Sequence, residues 1–368
     1  MPSDHLGHLV GKTLNDRYRV LRRLGEGGMG AVFEAADLTS GSAVAVKVLH
    51  RAISSPTALK RFQREALTAA RLGRPHAVEI FDVGELGSGE PFFVMEKLTG
   101  ETLRRRMMRE RRLPPMADVV SITVQVLSVL EAVHAQGIIH RDIKPENIFL
   151  LDGTNGVQEV TAKLIDFGVA KLLEGDEDSG DHPQYFGYTA TNLTETGVVV
   201  GTVGYLSPEQ ISSPRDIDER ADLWACGVVV YETLTGHRPF HGKTPVQIML
   251  DIVNRKPVPP RQLRPHIPVE LEAIVLTALK KRPAERYPNA QAFRRALIDF
   301  SIRYRKTEPR RTMTTRPPPP RPPEPIPAFQ AELSSETSLK LPVFKLPADI
   351  AEMVSLMEES DTDDESTR

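Results

Sequence analysis

The eight residues His140–Asn147, with the sequence HRDIKPEN, constrain this chain more than any other stretch. The carboxylate of Asp142 is followed by an ammonium group at Lys144 and a carboxamide at Asn147. One short loop would then hold a proton acceptor, a charge clamp and a metal ligand. That set suits phosphoryl transfer, because its catalysis consists mainly of positioning groups and neutralising charge on oxygens. Eight residues alone also fit a surface turn with a proline, so the other motifs must decide.

A glycine-rich segment, GEGGMG at Gly25–Gly30, lies between two stretches with the alternation of β-strands. Dinucleotide-binding folds use the same glycine spacing, but there a helix follows the glycines. Here strand character resumes at Phe33–Ala35, so we predict a β-hairpin folded over phosphate groups. A Walker A motif is absent around Lys12, because its required glycine would fall at Leu6.

The apolar stretch Ala43–Leu49 is predicted to be a strand, and it carries Lys47 in its interior. A buried lysine is costly unless it is paired, so this residue predicts a nearby anion. Farther along, the short strand Lys163–Ile165 leads into a DFG sequence that begins at Asp166. The next roughly forty residues lack periodicity, which favours a functional loop. This loop ends in GTVGYLSPE at Gly201–Glu209.

Together these motifs resemble, in order and spacing, those of the eukaryotic-like bacterial serine/threonine protein kinases. The KPE sequence inside the catalytic loop is typical of the serine/threonine branch, and GGMG and YLSPEQ are typical of its bacterial members. The resemblance covers about Arg17 to Ile302. It implies an α+β, two-lobed protein kinase fold, with a small N-lobe β-sheet carrying one helix and a larger, mainly helical C-lobe.

The resemblance also implies a division of the chain. We expect an N-terminal extension at 1–16, a kinase domain at 17–302 and a proline-rich, disordered tail at 303–368. Within the kinase domain, the N-lobe would cover about 17–95, the hinge 96–98 and the C-lobe about 99–302.

The family pattern implies the catalytic roles. Asp142 would orient the acceptor hydroxyl and accept its proton, while Lys144 would steady the γ-phosphoryl group of ATP. Asn147 and Asp166 would hold Mg²⁺ or Mn²⁺. Thr202 would line the acceptor site.

Lys47 would contact the α- and β-phosphates and would be held by Glu65, on a helix predicted from Phe62; a surface salt bridge is the alternative for Glu65. The backbone at the hinge would meet the adenine edge, although Lys97 replaces the aromatic residue often found there. The residues expected to contact ATP are Leu24, Gly25, Glu26, Gly27, Gly28, Met29, Gly30, Val32, Ala45, Lys47, Met95, Glu96, Leu98 and Phe149.

Three positions nearer the C-terminus fit the same pattern. Asp222 could cap the helix predicted from there to about Leu234, and in the family this aspartate also anchors the catalytic-loop backbone. Arg286 matches the arginine that pairs with Glu209. Ser207 stands where the family usually has alanine, a change between two small residues.

Regulation is predicted at Thr194 and Thr196, just before Gly201. We expect the protein to phosphorylate itself there, because a phosphothreonine can form one to three charge-assisted hydrogen bonds with an arginine such as Arg141. Solvent-exposed threonines without a regulatory role are the alternative.

Composition excludes several other classes. The formal net charge of −2 gives no bulk attraction to nucleic acid or a membrane surface. A single cysteine, Cys226, excludes an internal disulfide and a set of thiols for zinc, so we expect a reducing, cytoplasmic location.

The N-terminus lacks the features of a signal peptide. The best candidate for a membrane span, Val119–Val133, is interrupted by polar residues, so none is expected.

Two segments admit more than one interpretation. The polyproline stretch at 316–327 is either a spacer or a ligand for a proline-binding domain. The arginines between Arg104 and Arg112 form either a solvated helix face or a docking site for an acidic partner. Protein substrates are the partners that the kinase resemblance implies.

Two other functions share the two-lobed fold. A pseudokinase scaffold usually lacks an equivalent of Lys47, Asp142 or Asp166, and all three are present. A small-molecule kinase would not be expected to combine KPE in its catalytic loop with the segment Thr202–Glu209.

Overall fold

The computed structural model describes residues 6–27, 30–50, 75–110, 112–153, 160–166, 203–212 and 217–307. Short 3₁₀ turns lie at Gly7–Leu9, Pro145–Asn147 and Pro283–Glu285. The strands, in chain order, are β1 (Thr13–Leu14), β2 (Tyr18–Gly27), β3 (Gly30–Asp37), β4 (Ala43–Leu49), β5 (Ile80–Glu85), β6 (Pro91–Glu96), β7 (Gly100–Thr102), β8 (Ile148–Leu151) and β9 (Ala162–Leu164). The helices are α1 (Leu103–Arg109), α2 (Met116–His134), α3 (Pro208–Ser212), α4 (Arg220–Thr235), α5 (Pro245–Asn254), α6 (Pro260–Leu263), α7 (Val269–Ala278) and α8 (Ala290–Thr307).

The N-lobe is an antiparallel sheet in the order β1-β2-β3-β4-β6-β5. Side chains along β4 alternate between the two faces of the sheet. Those of Val44, Val46 and Val48 lie in one buried cluster on the outer face. Ala45 and Leu49 join a different cluster that continues into the C-lobe. Since successive side chains of a strand point to opposite faces, Lys47 lies on the same face as Ala45, toward the C-lobe.

The glycine-rich segment forms the predicted hairpin, because β2 pairs with β3 and Gly27 lies opposite Gly30. The position of Gly30 has no room for a side chain. A Cβ atom there would lie 2.1 Å from the carbonyl oxygen of Val48 on β4. The close approach of β3 to β4 therefore requires glycine.

The C-lobe is built around α4, whose residues from Ala221 to Thr235 are all buried. A helix that is buried on every side belongs at the centre of a core. The helix ends at Gly236, whose φ of 80° and bond from its N–H to the Glu232 carbonyl form a left-handed cap. The longer helix α2 packs against α4 and α8.

Among the described residues, α2 is one helix with the length and apolar composition of a membrane span, and 61% of its most apolar window is buried inside the protein. The core helix of a folded domain has the same properties.

A second, three-stranded sheet, β7-β8-β9, begins directly after the link between the lobes; β8 follows the turn at Pro145–Asn147 and β9 leads to Asp166. The two-lobed α+β prediction is confirmed by this arrangement. The helix predicted for the N-lobe falls within residues 51–74, outside the described residues.

Candidate active site

The catalytic turn brings three of the predicted side chains together. A 3₁₀ turn at Pro145–Asn147 carries Asn147 back toward Asp142. The Nδ2 atom of Asn147 donates to the carbonyl oxygen of Asp142 (2.8 Å) and to its Oδ2 (2.9 Å). The Nζ atom of Lys144 lies 2.9 Å from the same Oδ2. An amide and an ammonium group therefore fix the orientation of the carboxylate.

The buried side chain of Asp222 fixes the backbone of the catalytic loop. The N–H groups of His140 and Arg141 each donate to one of its carboxylate oxygens at 2.8 Å, and Arg141 has a left-handed φ of 60°. The Nε2 atom of His134 lies 2.8 Å from Oδ2. Burial alone would raise the pKa of Asp222, but the bond with His134 and the neighbouring N–H donors hold that pKa below its usual value.

One predicted role of Asp222 is wrong. Helix α4 begins at Arg220 and its N-cap position is Glu219. Asp222 is therefore inside the first turn, and its oxygens accept hydrogen bonds from outside the helix. His134, which completes this contact, was not predicted, because nothing in the sequence relates it to a residue 88 positions away.

The anion that Lys47 requires is supplied by Asp166. The Nζ atom of Lys47 lies 2.5 Å from Oδ1 of Asp166, and the lysine side chain is 9% exposed. Asp166 has a φ of 56°, which turns the chain sharply after β9. The same ammonium group lies 5.8 Å from the centre of the Phe93 ring. Glu65, the predicted partner, lies outside the described residues.

The walls of the cleft are apolar. Ala45 on β4 lies opposite Met95 on β6, and both are buried. Val32 and Leu98 pack against the cluster that contains them. Phe149 on β8 lies between two buried neighbours and is only partly buried itself, as a side chain facing a cleft would be.

The remaining predicted ATP contacts are on the hairpin. Leu24 is 43% exposed, and the carboxylate of Glu26 accepts a hydrogen bond from Arg23. Gly25, Gly27 and Gly30 occupy the paired ends of β2 and β3. Two tip residues, Gly28 and Met29, lie outside the described residues.

Ion pairs fix both sides of the hinge. Lys97 Nζ lies 2.5 Å from Glu34 Oε1 on β3, and this hydrogen bond lowers the pKa of Glu34. The neighbouring Glu96 accepts a bond from the N–H of Glu79 (2.9 Å) and pairs with Lys163 on β9. Lys97, which replaces the aromatic residue often found at this position, thus has a structural partner in Glu34.

The described arginines of the cluster differ in their surroundings, and Arg105, Arg109 and Arg112 are exposed, as a solvated face would be. Arg106 and Arg109 on α1 both pair with Glu101 (3.2 and 2.7 Å). Arg104 instead points inward, to Glu146 in the catalytic turn and to Glu232 on α4. At least three of these arginines therefore have intramolecular carboxylate partners.

The segment at α3 has a local cap at its start and an ion pair with a distant part of the C-lobe. The side chain of Gln210 accepts from the N–H of Ser207 (2.9 Å), so the serine takes part in a local cap that alanine could only partly reproduce. Glu209 forms two hydrogen bonds with Arg286 (2.6 and 2.7 Å). The arginine side chain is fully buried and also donates to backbone carbonyls of 220, 280 and 281.

Several predicted residues lie outside the described part of the chain: Gly28, Met29, Glu65, Phe167, Gly168, Thr194, Thr196, Thr202 and the proline-rich tail. Their roles stay predictions.

A β-rich lobe joined by a short hinge to a helical lobe, with a Lys47–Asp166 pair and a fixed Asp142 between them, defines the protein kinase class of folds. The model of the protein kinase domain family matches residues 18–298. This chain therefore belongs to the protein kinase domain family.

Curated relatives include the serine/threonine-protein kinase pkn3 of Myxococcus xanthus, 39% identical over 82% of this chain and 54% of that protein. Another is the serine/threonine-protein kinase PknB of Mycobacterium leprae, 38% identical over 77% of this chain and 43% of that protein. This chain thus spans about half the length of these relatives. Among solved structures, the PknI kinase domain of Mycobacterium tuberculosis is similar, with a TM-score of 0.58, 27% identity and coverage of 78% of this chain and 98% of that one.

Proposed function

We propose that this protein is a serine/threonine protein kinase that transfers the γ-phosphoryl group of ATP to Ser or Thr hydroxyls of proteins. The observation that carries the proposal is the fixed Asp142, held by Lys144 and Asn147, together with the ion pair of the buried Lys47 with Asp166. Names of relatives and the family match support it. Within this activity we assign the protein to the non-specific serine/threonine protein kinases.

Each side chain has a task in the transfer. Asp142 accepts the proton of the substrate hydroxyl while its oxygen forms a bond to the γ-phosphorus, and the bond from that phosphorus to the bridging oxygen of ADP breaks. Lys144 neutralises charge on the moving phosphoryl oxygens. Lys47, already buried and close to a carboxylate, contacts the α- and β-phosphates.

The residues present also fit a divalent cation. Asp166 offers a carboxylate and Asn147 an amide oxygen, since the bonds to Asp142 use only Nδ2 of Asn147. Among the described residues no group of three or more His, Cys, Asp or Glu could hold a metal by itself. Mg²⁺ is usually held by one or two carboxylates together with substrate phosphates, so this sparse set suits it. When bound, it would neutralise charge on the β- and γ-phosphates.

Incubation of the purified protein with labelled ATP and a generic protein tests the proposal. We expect label in phosphoserine and phosphothreonine, loss of transfer in excess EDTA and recovery with Mg²⁺ or Mn²⁺. An aminoglycoside in place of the protein tests the small-molecule alternative. Label in the aminoglycoside alone, or no transfer to any acceptor, would contradict the proposal; the second outcome would favour a pseudokinase.

We further propose that the protein phosphorylates itself on Thr194 or Thr196 and that this raises its activity. Support comes from the position of both threonines shortly before Thr202 and from the capacity of a phosphothreonine to order a loop through an arginine. Mass spectrometry after incubation with ATP would locate the sites. Replacement of both threonines with alanine should lower the rate; an unchanged rate, or the absence of phosphate on both, would reject the proposal.

Two other interpretations remain predictions. One is the cytoplasmic location, and the other is a proline-binding partner for 316–327.

A further inference from the structure

A carboxylate lies on the side of the N-lobe sheet that faces the cleft, and we call this side the cleft face. Glu34 on β3 lies opposite Ala45 on β4, and residues opposite one another in a sheet share a face. Ala45 belongs to the buried cluster that continues into the C-lobe. Val32, two positions before Glu34 on the same strand, packs against that cluster too. The carboxylate of Glu34 is therefore a neighbour of two side chains predicted to contact ATP.

Two cations contact this carboxylate. The Nζ atom of Lys97, in the hinge, lies 2.5 Å from Glu34 Oε1. The Nη2 atom of Arg22 on β2 lies 2.6 Å from Oε2. The side chain of Glu34 is 12% exposed, that of Lys97 30% and that of Arg22 65%. Solvent therefore screens the charge of Lys97 less than that of Arg22, so Lys97 is the more effective of the two counter-charges.

Glu34 carries its charge at neutral pH. The hydrogen bond from Lys97 is the main cause that lowers the pKa of Glu34; burial opposes it, and the charge of Arg22 adds to it. An ionised carboxylate on the cleft face would repel ATP, whose phosphates carry several negative charges, unless a cation compensates it.

The backbone of the hinge is well placed to hold that cation. The N–H of Glu96 donates to the carbonyl oxygen of Glu79 (2.9 Å), and the N–H of Glu79 donates to Oε1 of Glu96 (2.9 Å). The preceding strand, β6, pairs with both β4 and β5. Lys97 thus extends from a segment that is hydrogen-bonded on both sides.

We propose that Lys97 is a positioning residue for nucleotide binding: it neutralises the carboxylate of Glu34 on the cleft face, so that this carboxylate does not repel the phosphates of ATP. The inference rests on the proposed ATP-dependent kinase function. An aromatic residue, which the family often has at this position, could not act in this way because it carries no positive charge.

The test measures the dissociation constants of Mg²⁺-ATP and of uncharged adenosine by titration at low ionic strength. Lys97→Met keeps most of the apolar stem and loses the charge. This variant should bind ATP about threefold to tenfold more weakly than wild type does, because an uncompensated charge near a protein surface has an effect of this order. Its affinity for adenosine should change by less than about twofold. Equal losses for both ligands, or an unchanged affinity for ATP, would overturn the proposal.

A second variant removes the carboxylate as well. Lys97→Met/Glu34→Gln should bind ATP at least as tightly as wild type, because no repulsive charge is left. A double variant that binds ATP as weakly as Lys97→Met would contradict the proposal. The difference between wild type and Lys97→Met should also vanish in about 1 M NaCl, where the Debye length is about 3 Å. A difference that persists there would argue against a charge effect.

Arg17→Met is the matched control. Arg17 pairs with Asp37 at the end of β3 (2.8 Å), and Asp37 is three residues from Glu34, on the opposite face of the strand. Asp37 keeps its bonds from Thr39 and Ser40, so the variant should stay folded. The ratio of its affinities for ATP and adenosine should equal that of wild type. A loss specific to ATP in this variant would show that any broken ion pair in the sheet has the effect, and the proposal would fail.

The titrations do not depend on phosphoryl transfer. Wild type that binds ATP but transfers phosphate to no protein would reject the kinase function, whereas the comparison of ATP with adenosine would still test the role of Lys97.

Discussion

At the scale of single residues, Asp222 shows how a buried carboxylate can be stabilised without a cation of fixed charge. Its oxygens accept hydrogen bonds from two backbone N–H groups and contact a histidine ring. The family pattern in the sequence predicts the backbone contacts. It does not predict His134, because the ring belongs to α2 and meets Asp222 only after both helices have packed.

His140 provides a residue-scale prediction about pH. Burial lowers the pKa of His140, and the charges of Asp222, Asp142 and Asp166 oppose this only in part. An unfolded histidine titrates near about pH 6.5. Below that pH the unfolded chain takes up a proton that the folded chain does not, so the free energy of unfolding falls as the pH decreases. His140 should therefore contribute to a fall in the free energy of unfolding between about pH 7.5 and 5.5.

Urea unfolding of wild type and His140→Gln at these two pH values checks the prediction. The fall should be smaller in the variant than in wild type. An identical fall in both proteins would show that His140 is not the responsible group. The pKa of Asp222 is already below its usual value, so its protonation should contribute only at lower pH.

At the scale of elements, sequence periodicity predicts strands better than it predicts contacts between them. The alternation of β4 places Lys47 on the inner face, and the resumed strand after the glycines predicts the hairpin. The ion pair between Lys97 and Glu34 was not predictable, since either residue is equally acceptable on a solvated surface. The same holds for Arg104, because the two residues that follow it are also arginines and give no sign that it turns inward.

The connection of α3 to the loop after α7 gives a prediction at this scale. Arg286 is fully buried and shares two hydrogen bonds with Glu209. Replacing Arg286 with leucine would leave the carboxylate without its counter-charge, and removing one partner of a buried pair typically costs about 3–5 kcal/mol. The free energy of unfolding from urea titration should fall by that amount.

A matched control is available in the C-lobe. Arg294 pairs with Glu131 between α8 and α2, but both side chains are 30% exposed. Arg294→Leu should cost about 1 kcal/mol or less, because solvent screens such pairs. Equal losses for the two variants would show that burial of the Arg286 pair does not have the assigned effect.

At the scale of the whole molecule, the order of motifs along the chain was sufficient to predict two lobes and the cleft between them. Each motif belongs to a strand or turn, and the order of these elements along the chain fixes where each one lies in the fold. The contacts that complete the site come from elements far apart in sequence, such as Glu232 on α4 and Glu146 in the catalytic turn. These depend on how helices pack, which a local pattern does not encode.

The central claim is that this cleft transfers phosphate through Asp142. The most direct measurement is the rate of γ-phosphoryl transfer from ATP to a protein substrate by wild type and Asp142→Asn, with Asp299→Asn on the exposed face of α8 as control. Asparagine keeps the shape but removes the proton acceptor, so the rate should fall by about 10²- to 10⁴-fold, while Asp299→Asn keeps the wild-type rate. A folded Asp142→Asn protein with full activity would contradict the assignment.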